Sequence, residues 1–203
     1  MAVFTLGCKV NQAESEELKL LLSQAGHEIV VDPALADLCV VNTCAVTAES
    51  ERKCRKLIRR LERDGAAAIA AAGCYVEVEP EALDGLPRVR ALIPNARKEG
   101  WADEILSMLS PGEARARNPV PGRTRSFVKV QDGCERGCSY CIVPRARGKE
   151  VSKPPWKVLE SLERWRDLGG DEVVLCGVNL GRYRHGLDYD LASLVRDVLA
   201  CGE

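Results

Sequence analysis

The chain has 203 residues, of which 46% are hydrophobic and 29% charged, with a formal net charge of −1. That length admits one large domain or two small ones, either able to bury a core. The near-neutral balance and the 4% aromatic content exclude a chain that binds nucleic acid by overall charge or by a stacking platform. No apolar run reaches about 18 residues, so no membrane span is expected. Met1 to Cys8 lacks a basic stretch before its apolar run and reads as a strand, not a signal peptide. A cytoplasmic location follows as the expectation. There the ten cysteines are thiols or thiolates, which points to metal or redox chemistry.

The pattern predicts a strand over 2–7. Asn11 to Glu14 has the form of a capping box, and Leu18, Leu21, Leu22 and Ala25 follow at helical spacing up to Gly26. Short strands are expected at 29–31 and 38–41. A helix from Thr47 carries Cys54, Leu57, Ile58 and Leu61 on one face and stops at Gly65. A strand over 66–72, another over 91–93 and a helix over 100–109 complete an alternating set, as in a mostly parallel sheet with helices on its faces. Residues 111–125, rich in proline, glycine and arginine, read as a linker between domains at 1–110 and 126–203. After it come a strand (126–130), a helix (156–168), a strand (172–175) and a helix (191–200). The fold class expected is α/β.

Two sets of cysteines stand out. Cys134, Cys138 and Cys141 form C-x3-C-x2-C directly after a predicted strand. Three thiolates on one short loop can hold three irons of a [4Fe–4S] cube and leave the fourth open to a ligand. Structural zinc fits less well, since it takes four ligands. Cys8, Cys44 and Cys74 each follow a predicted strand. The carboxyl ends of parallel strands gather along one edge, so these three could converge on a second cluster. They could equally be unrelated buried thiols.

The first spacing, with the aromatic Tyr140 before its last cysteine, resembles the radical S-adenosylmethionine (SAM) superfamily. The runs Thr5 to Gln12, Asn42 to Thr47, Gly73-Cys74, Gln131 to Cys134, Ile142 to Gly148 and Gly177 to Gly181 resemble the methylthiotransferases within it. They most resemble the branch acting on N6-threonylcarbamoyladenosine in tRNA. Branches acting on isopentenyladenosine or on a ribosomal-protein aspartate remain alternatives, as does a non-catalytic iron–sulfur or zinc-binding fragment.

The resemblance implies that the N-terminal domain is a three-layer parallel-sheet domain holding an auxiliary [4Fe–4S] cluster on Cys8, Cys44 and Cys74. It implies that the second domain is a partial (β/α) barrel whose cluster, on Cys134, Cys138 and Cys141, cleaves SAM to a 5′-deoxyadenosyl radical. The radical would take hydrogen from C2 of the adenine, the auxiliary cluster would supply sulfur, and a second SAM would supply the methyl group. Tyr140 and Asn179 would contact SAM, and the enzyme would be a monomer using tRNA and an electron donor such as a flavodoxin or ferredoxin. Lys9, Asn11, Asn42 and Thr43 are candidates to hydrogen-bond cluster sulfides. Arg145, Arg147 and Lys149 are candidates for the SAM carboxylate or RNA phosphate. The basic helix stretch from Arg52 to Arg63 is either a solvated face or a tRNA contact. Cys39, Cys54, Cys176 and Cys201 match no ligand position. Only two β-α units follow the linker, so the chain is expected to be a truncated piece, inactive alone.

Overall fold

A computed structural model describes residues 1–109 and 125–201. The predicted linker lies outside the described residues, apart from Arg125, which already begins a strand.

The first sheet has four parallel strands in the order β1 (Ala2–Thr5), β2 (Cys39–Thr43), β3 (Ile69–Gly73) and β4 (Val89–Ile93). Successive side chains on β2 enter opposite cores, as a strand covered on both faces requires. Cys39 and Val41 pack with Cys54, Ile58 and Leu61 of helix α2 (Ala48–Arg63). Val40 packs with Leu18 and Leu22 of α1 (Lys9–Gln24) on the other side. Thr47 caps α2, its hydroxyl accepting from Ser50 N at 3.1 Å. A short helix α3 (Cys74–Val78) follows β3, and α4 (Trp101–Ser107) follows a 3-10 segment at Asn95–Gly100.

The second sheet is mixed. β5 (Arg125–Asp132) pairs in parallel with β7 (Glu172–Gly177) and antiparallel with the two-residue β6 (Val151–Ser152). Helix α5 (Val143–Arg147) lies between β5 and β6, α6 (Pro155–Asp167) between β6 and β7. The β8–β9 pair (Arg184–His185 with Tyr189–Asp190) precedes α7 (Leu191–Ala200). The protein is thus an α/β chain with a four-stranded parallel sheet followed by a mixed one. Among the described residues no helix is long and apolar enough to cross a membrane.

Two local expectations fail. The capping box does not form, because Cys8 is the residue before α1 and Asn11 lies inside the helix, fully buried. No strand forms at 29–31; Val30 N donates one bond to Met1 O at 2.7 Å and the ladder goes no further.

The two sheets meet across α1. Val10 and Ala13 pack on Phe127 and Cys176. Beside them Glu14, 6% exposed, takes Lys98 on one carboxylate oxygen and both Lys129 (2.9 Å) and Arg147 (3.0 Å) on the other. Lys129 and Arg147 also bind Asp132, at 2.9 and 2.8 Å. Burial pushes the Glu14 carboxyl up, but the charges of Lys98, Lys129 and Arg147 outweigh it and hold the group well below 4.5.

Removing one member of a buried ionic group leaves its partners unpaired, at a cost of about 3–5 kcal/mol. Glu14→Gln is therefore expected to destabilise the chain by about that amount in urea unfolding. The pH dependence has a definite sign. A carboxyl held low in the folded state binds its proton more readily when unfolded, so its stabilisation is complete above pH 4.5 and drains away as pH falls below that value. The acid-induced loss of stability should be smaller in Glu14→Gln than in the parent.

Candidate functional site

The ends of β1, β2 and β3 lie in register, Thr5 beside Asn42 and Thr43 beside Gly73. Cys8, Cys44 and Cys74 are thereby set along one edge of the sheet. The chain leaves β1 for α1 on one face and leaves β2 for α2 on the other, so the two connections part outside the strand ends. Crevices of this kind hold ligands in open α/β sheets. Cys8 is exposed, while Cys44 and Cys74 are buried. Burial pushes the Cys44 thiol up, the amide of Val46 and the Ser50 hydroxyl oppose that, and Cys74 and Cys8 add to it by charge.

Among the described residues no three His, Cys, Asp or Glu side chains close on one ion-sized point. An iron–sulfur cube takes each thiolate on a different iron, so it requires a wider triangle than a single ion does. The surroundings fit such a group. Gly7 has φ +98°, and a Cβ there would stand 2.7 Å from the Cys44 sulfur. Gly73 has φ +102°, and a Cβ there would stand 2.7 Å from Asn42 Oδ1 and 3.2 Å from Lys98 Nζ. Both positions need a residue without a side chain for the cysteines to sit where they do. The Cys74 sulfur accepts from Asn95 Nδ2 at 3.3 Å, the kind of donor that suits a ligand thiolate.

Asn11, Asn42 and Thr43 act on the loops themselves. Asn11 Nδ2 donates to Leu6 O and Thr43 O, both at 2.8 Å, tying the β1 loop to the β2 loop. Asn42 Nδ2 donates to Asn11 O, and its Oδ1 accepts from Lys98. The Thr43 hydroxyl donates to Ala72 O at 2.7 Å and accepts from Tyr75 N. Their donors go mainly to backbone carbonyls, while the Asn42 and Asn11 carbonyl oxygens take Lys98 and Arg147. Lys9 is exposed.

The second cysteine set follows β5. Cys134 N donates to Gly148 O at 3.1 Å and Cys141 N to Cys138 O at 3.0 Å. Cys134 and Cys141 are half-buried, Cys138 exposed, and Tyr140 projects into solvent, 89% exposed. Asn179 follows β7, and its N–H donates to the buried Gln131 Oε1 at 2.7 Å. Asn179 thus lies on the edge that carries the cysteine loop. Arg145 donates to Val78 O at 2.8 Å, while Arg147 is buried among Glu14, Asp132 and Asn11. Both guanidiniums are engaged within the chain; Lys149 is exposed.

Four residues here take roles that the sequence expectations did not give them: Glu14, Asn95, Lys98 and Cys54. Cys54 is more than core filling. Its sulfur accepts from Cys44 N at 3.3 Å and donates to Cys44 O at 3.5 Å, and burial pushes its thiol up to about 11. Glu14 left a trace, since it stands four residues before Leu18 on the apolar stripe of α1. Asn95 and Lys98 are three apart in a segment with no apolar period, and only its 3-10 geometry puts them on one face.

The chain is similar to the threonylcarbamoyladenosine tRNA methylthiotransferase MtaB of Chlamydia pneumoniae, 40% identical over 195 residues, which cover 95% of this chain and 46% of that protein. It is similar to the Bacillus subtilis protein of the same name, 33% identical over 98% of this chain and 48% of the relative. It is related to the methylthiotransferases over their N-terminal half. The tRNA-2-methylthio-N(6)-dimethylallyladenosine synthase of Anaeromyxobacter dehalogenans is 31% identical over 98% of the chain. The family model described as Uncharacterized protein family UPF0004 matches residues 1–93, which hold Cys8, Cys44 and Cys74. The chain spans about half the length of the curated methylthiotransferases it matches.

Gly7 and Gly85 both have positive φ, but a Cβ at Gly85 meets nothing within 4 Å. Each alanine variant pays for an unfavourable backbone region, about 1–3 kcal/mol. Gly7→Ala should lose more than Gly85→Ala in urea unfolding, and the difference measures the clash with Cys44.

Proposed function

We propose that this chain is the cluster-binding part of a tRNA methylthiotransferase. In this reading residues 1–110 form the domain that holds an auxiliary [4Fe–4S] cluster on Cys8, Cys44 and Cys74. Residues 111–125 link it to a radical SAM portion, 126–203, with a second cluster on Cys134, Cys138 and Cys141. β5 with α6 and β7 with α7 are its first two barrel units. The observation that carries this reading is that the helix beginning at Cys74 packs on the helix that follows Cys141. Asn95 bonds both Cys74 and the carbonyl of Ala146, in the helix that follows Cys141. A reaction that makes a radical at one group and draws sulfur from another requires both beside one substrate.

When bound, the two clusters supply the electron that cleaves SAM and the sulfur that is transferred. The chain's own residues hold and shield them. Gly7 and Gly73 let backbone approach closely, Cys54 fixes the peptide of Cys44, and burial of Cys44 and Cys74 keeps water from two of the three ligands. Asn179, whose backbone N–H is held by Gln131, is taken as a SAM contact. Tyr140, exposed on the same loop as its three cysteines, is taken as a second SAM contact. The substrate proposed is N6-threonylcarbamoyladenosine beside the anticodon, methylthiolated at C2, as the names of the 40% and 33% identical relatives support.

Anaerobic reconstitution with iron and sulfide should load about eight irons per chain, and about four when either cysteine triad is replaced by alanine. Tightly bound zinc with no visible absorption would sink the cluster reading. Mass spectrometry of tRNA nucleosides from cells lacking the gene should show loss of 2-methylthio-N6-threonylcarbamoyladenosine. Loss of the dimethylallyladenosine derivative instead would move the substrate to the branch of the 31% identical relative.

A further inference from the structure

Asn95 stands where the two halves of the structure touch, and its amide is oriented by a group other than the sulfur it faces. Nδ2 donates to Ala146 O of α5 and, with its second hydrogen, to Cys74 Sγ at 3.3 Å. Turning the amide over would set Oδ1 against the Ala146 carbonyl, acceptor against acceptor. The N–H is therefore aimed at the sulfur whatever the sulfur binds. Asn95 Oδ1 is buried and has no hydrogen-bond partner, so the arrangement leaves one acceptor unmatched to keep both donors in place. One 3-10 turn further on, the Lys98 ammonium is close enough for its charge to act on Cys74, as does that of Arg147. The three cysteines of the first set thus differ. Cys74 faces a donor and two cations, whereas Cys8 is exposed and has the Asn11 carbonyl oxygen 4.0 Å away.

We infer that Asn95 is a positioning residue for the auxiliary cluster: its N–H to the Cys74 sulfur raises the reduction potential of that cluster and fixes the cluster against α5. The inference rests on the cluster reading of Cys8, Cys44 and Cys74 given above. The physical reason is that reduction adds negative charge to the cluster and its ligand sulfurs. A donor on the sulfur stabilises the reduced form more than the oxidised form. The anchor on Ala146 gives this donor a second consequence, because movement of the loop after Cys141 would carry the Asn95 amide with it.

The test uses the full chain with Cys134, Cys138 and Cys141 replaced by alanine, so that only the first site loads. After reconstitution with iron and sulfide, the midpoint potential is read by an electron paramagnetic resonance titration for Asn95, N95L and N95D. Both variants remove the donor at similar size, and N95D also brings an acceptor and a negative charge. The expected result is unchanged iron content and a more negative potential in both, larger in N95D. A tenfold change in the oxidised-to-reduced ratio at a fixed potential, about 59 mV for one electron, is the scale expected for N95L. A purely structural role would lower unfolding stability and leave the potential in place, and that result overturns the inference. Should N95L fail to hold iron, N95A removes the donor without adding charge and carries the comparison. If the Asn95 parent itself loads no cluster, the cluster reading fails, which is a different outcome from a loaded cluster with an unmoved potential.

Discussion

One buried carboxylate governs how this chain is arranged. Glu14 cannot be ionised inside the protein without cations, and burial of a charge without partners is prohibitive. Its three cations come from three places: Lys98 from the segment after β4, Lys129 from β5 and Arg147 from the end of α5. Satisfying one side chain therefore brings together both sheets and the connections around both cysteine sets. Lys98 is held at a cost, since burial and the charge of Arg147 draw its pKa down while Glu14 opposes them. Lys129 goes the other way: burial is outweighed by Glu14 and Asp132, which push its pKa up. The five side chains carry three positive and two negative charges, and the surplus positive charge lies near Cys74.

The same arrangement explains why the polar residues beside the cysteines face inward to the backbone. Asn11 and Asn42 sit between the Glu14 group and the loops, and each loop end is pinned by an amide whose other atoms are also used. Such pinning would hold the three sulfurs of the proposed ligand set at fixed spacing. The UPF0004 match ends at residue 93, just before Asn95 and Lys98. From the segment after β4, Asn95 reaches α5 and Lys98 reaches Glu14 on α1.

Much of the fold was legible in the residues. The helix from Thr47 showed its apolar face, and the strands at 38–41 and 91–93 showed compact apolar runs; each formed within two residues of the expected bounds. The sequence of Asn11 to Glu14 misled because both residue types serve two purposes. An Asn and a Glu three apart can cap a helix, or can be buried inside it when distant cations exist, and one chain read locally does not reveal the cations. The short helices α3 and α5 were missed for a related reason. Five residues hold too little periodicity to read, and both are fixed by packing on one another and by Arg145 reaching Val78 O. At the candidate site the cysteines were visible as residue types, whereas Cys54, Asn95 and Lys98 gained meaning only from partners up to 84 residues away.

Chain synthesis runs from the N-terminus, and domains fold as they emerge. Glu14 is made early but its cations lie 84, 115 and 133 residues further along. The first sheet can close on local crossovers, with Lys98 arriving soon after β4. The last two cations must travel with β5 and α5, and contacts of such long sequence separation form late. During that interval Glu14 has one partner in place of three. The spacing of four charged residues thus favours one order of assembly: the first sheet closes early, and the cations from β5 and α5 arrive last.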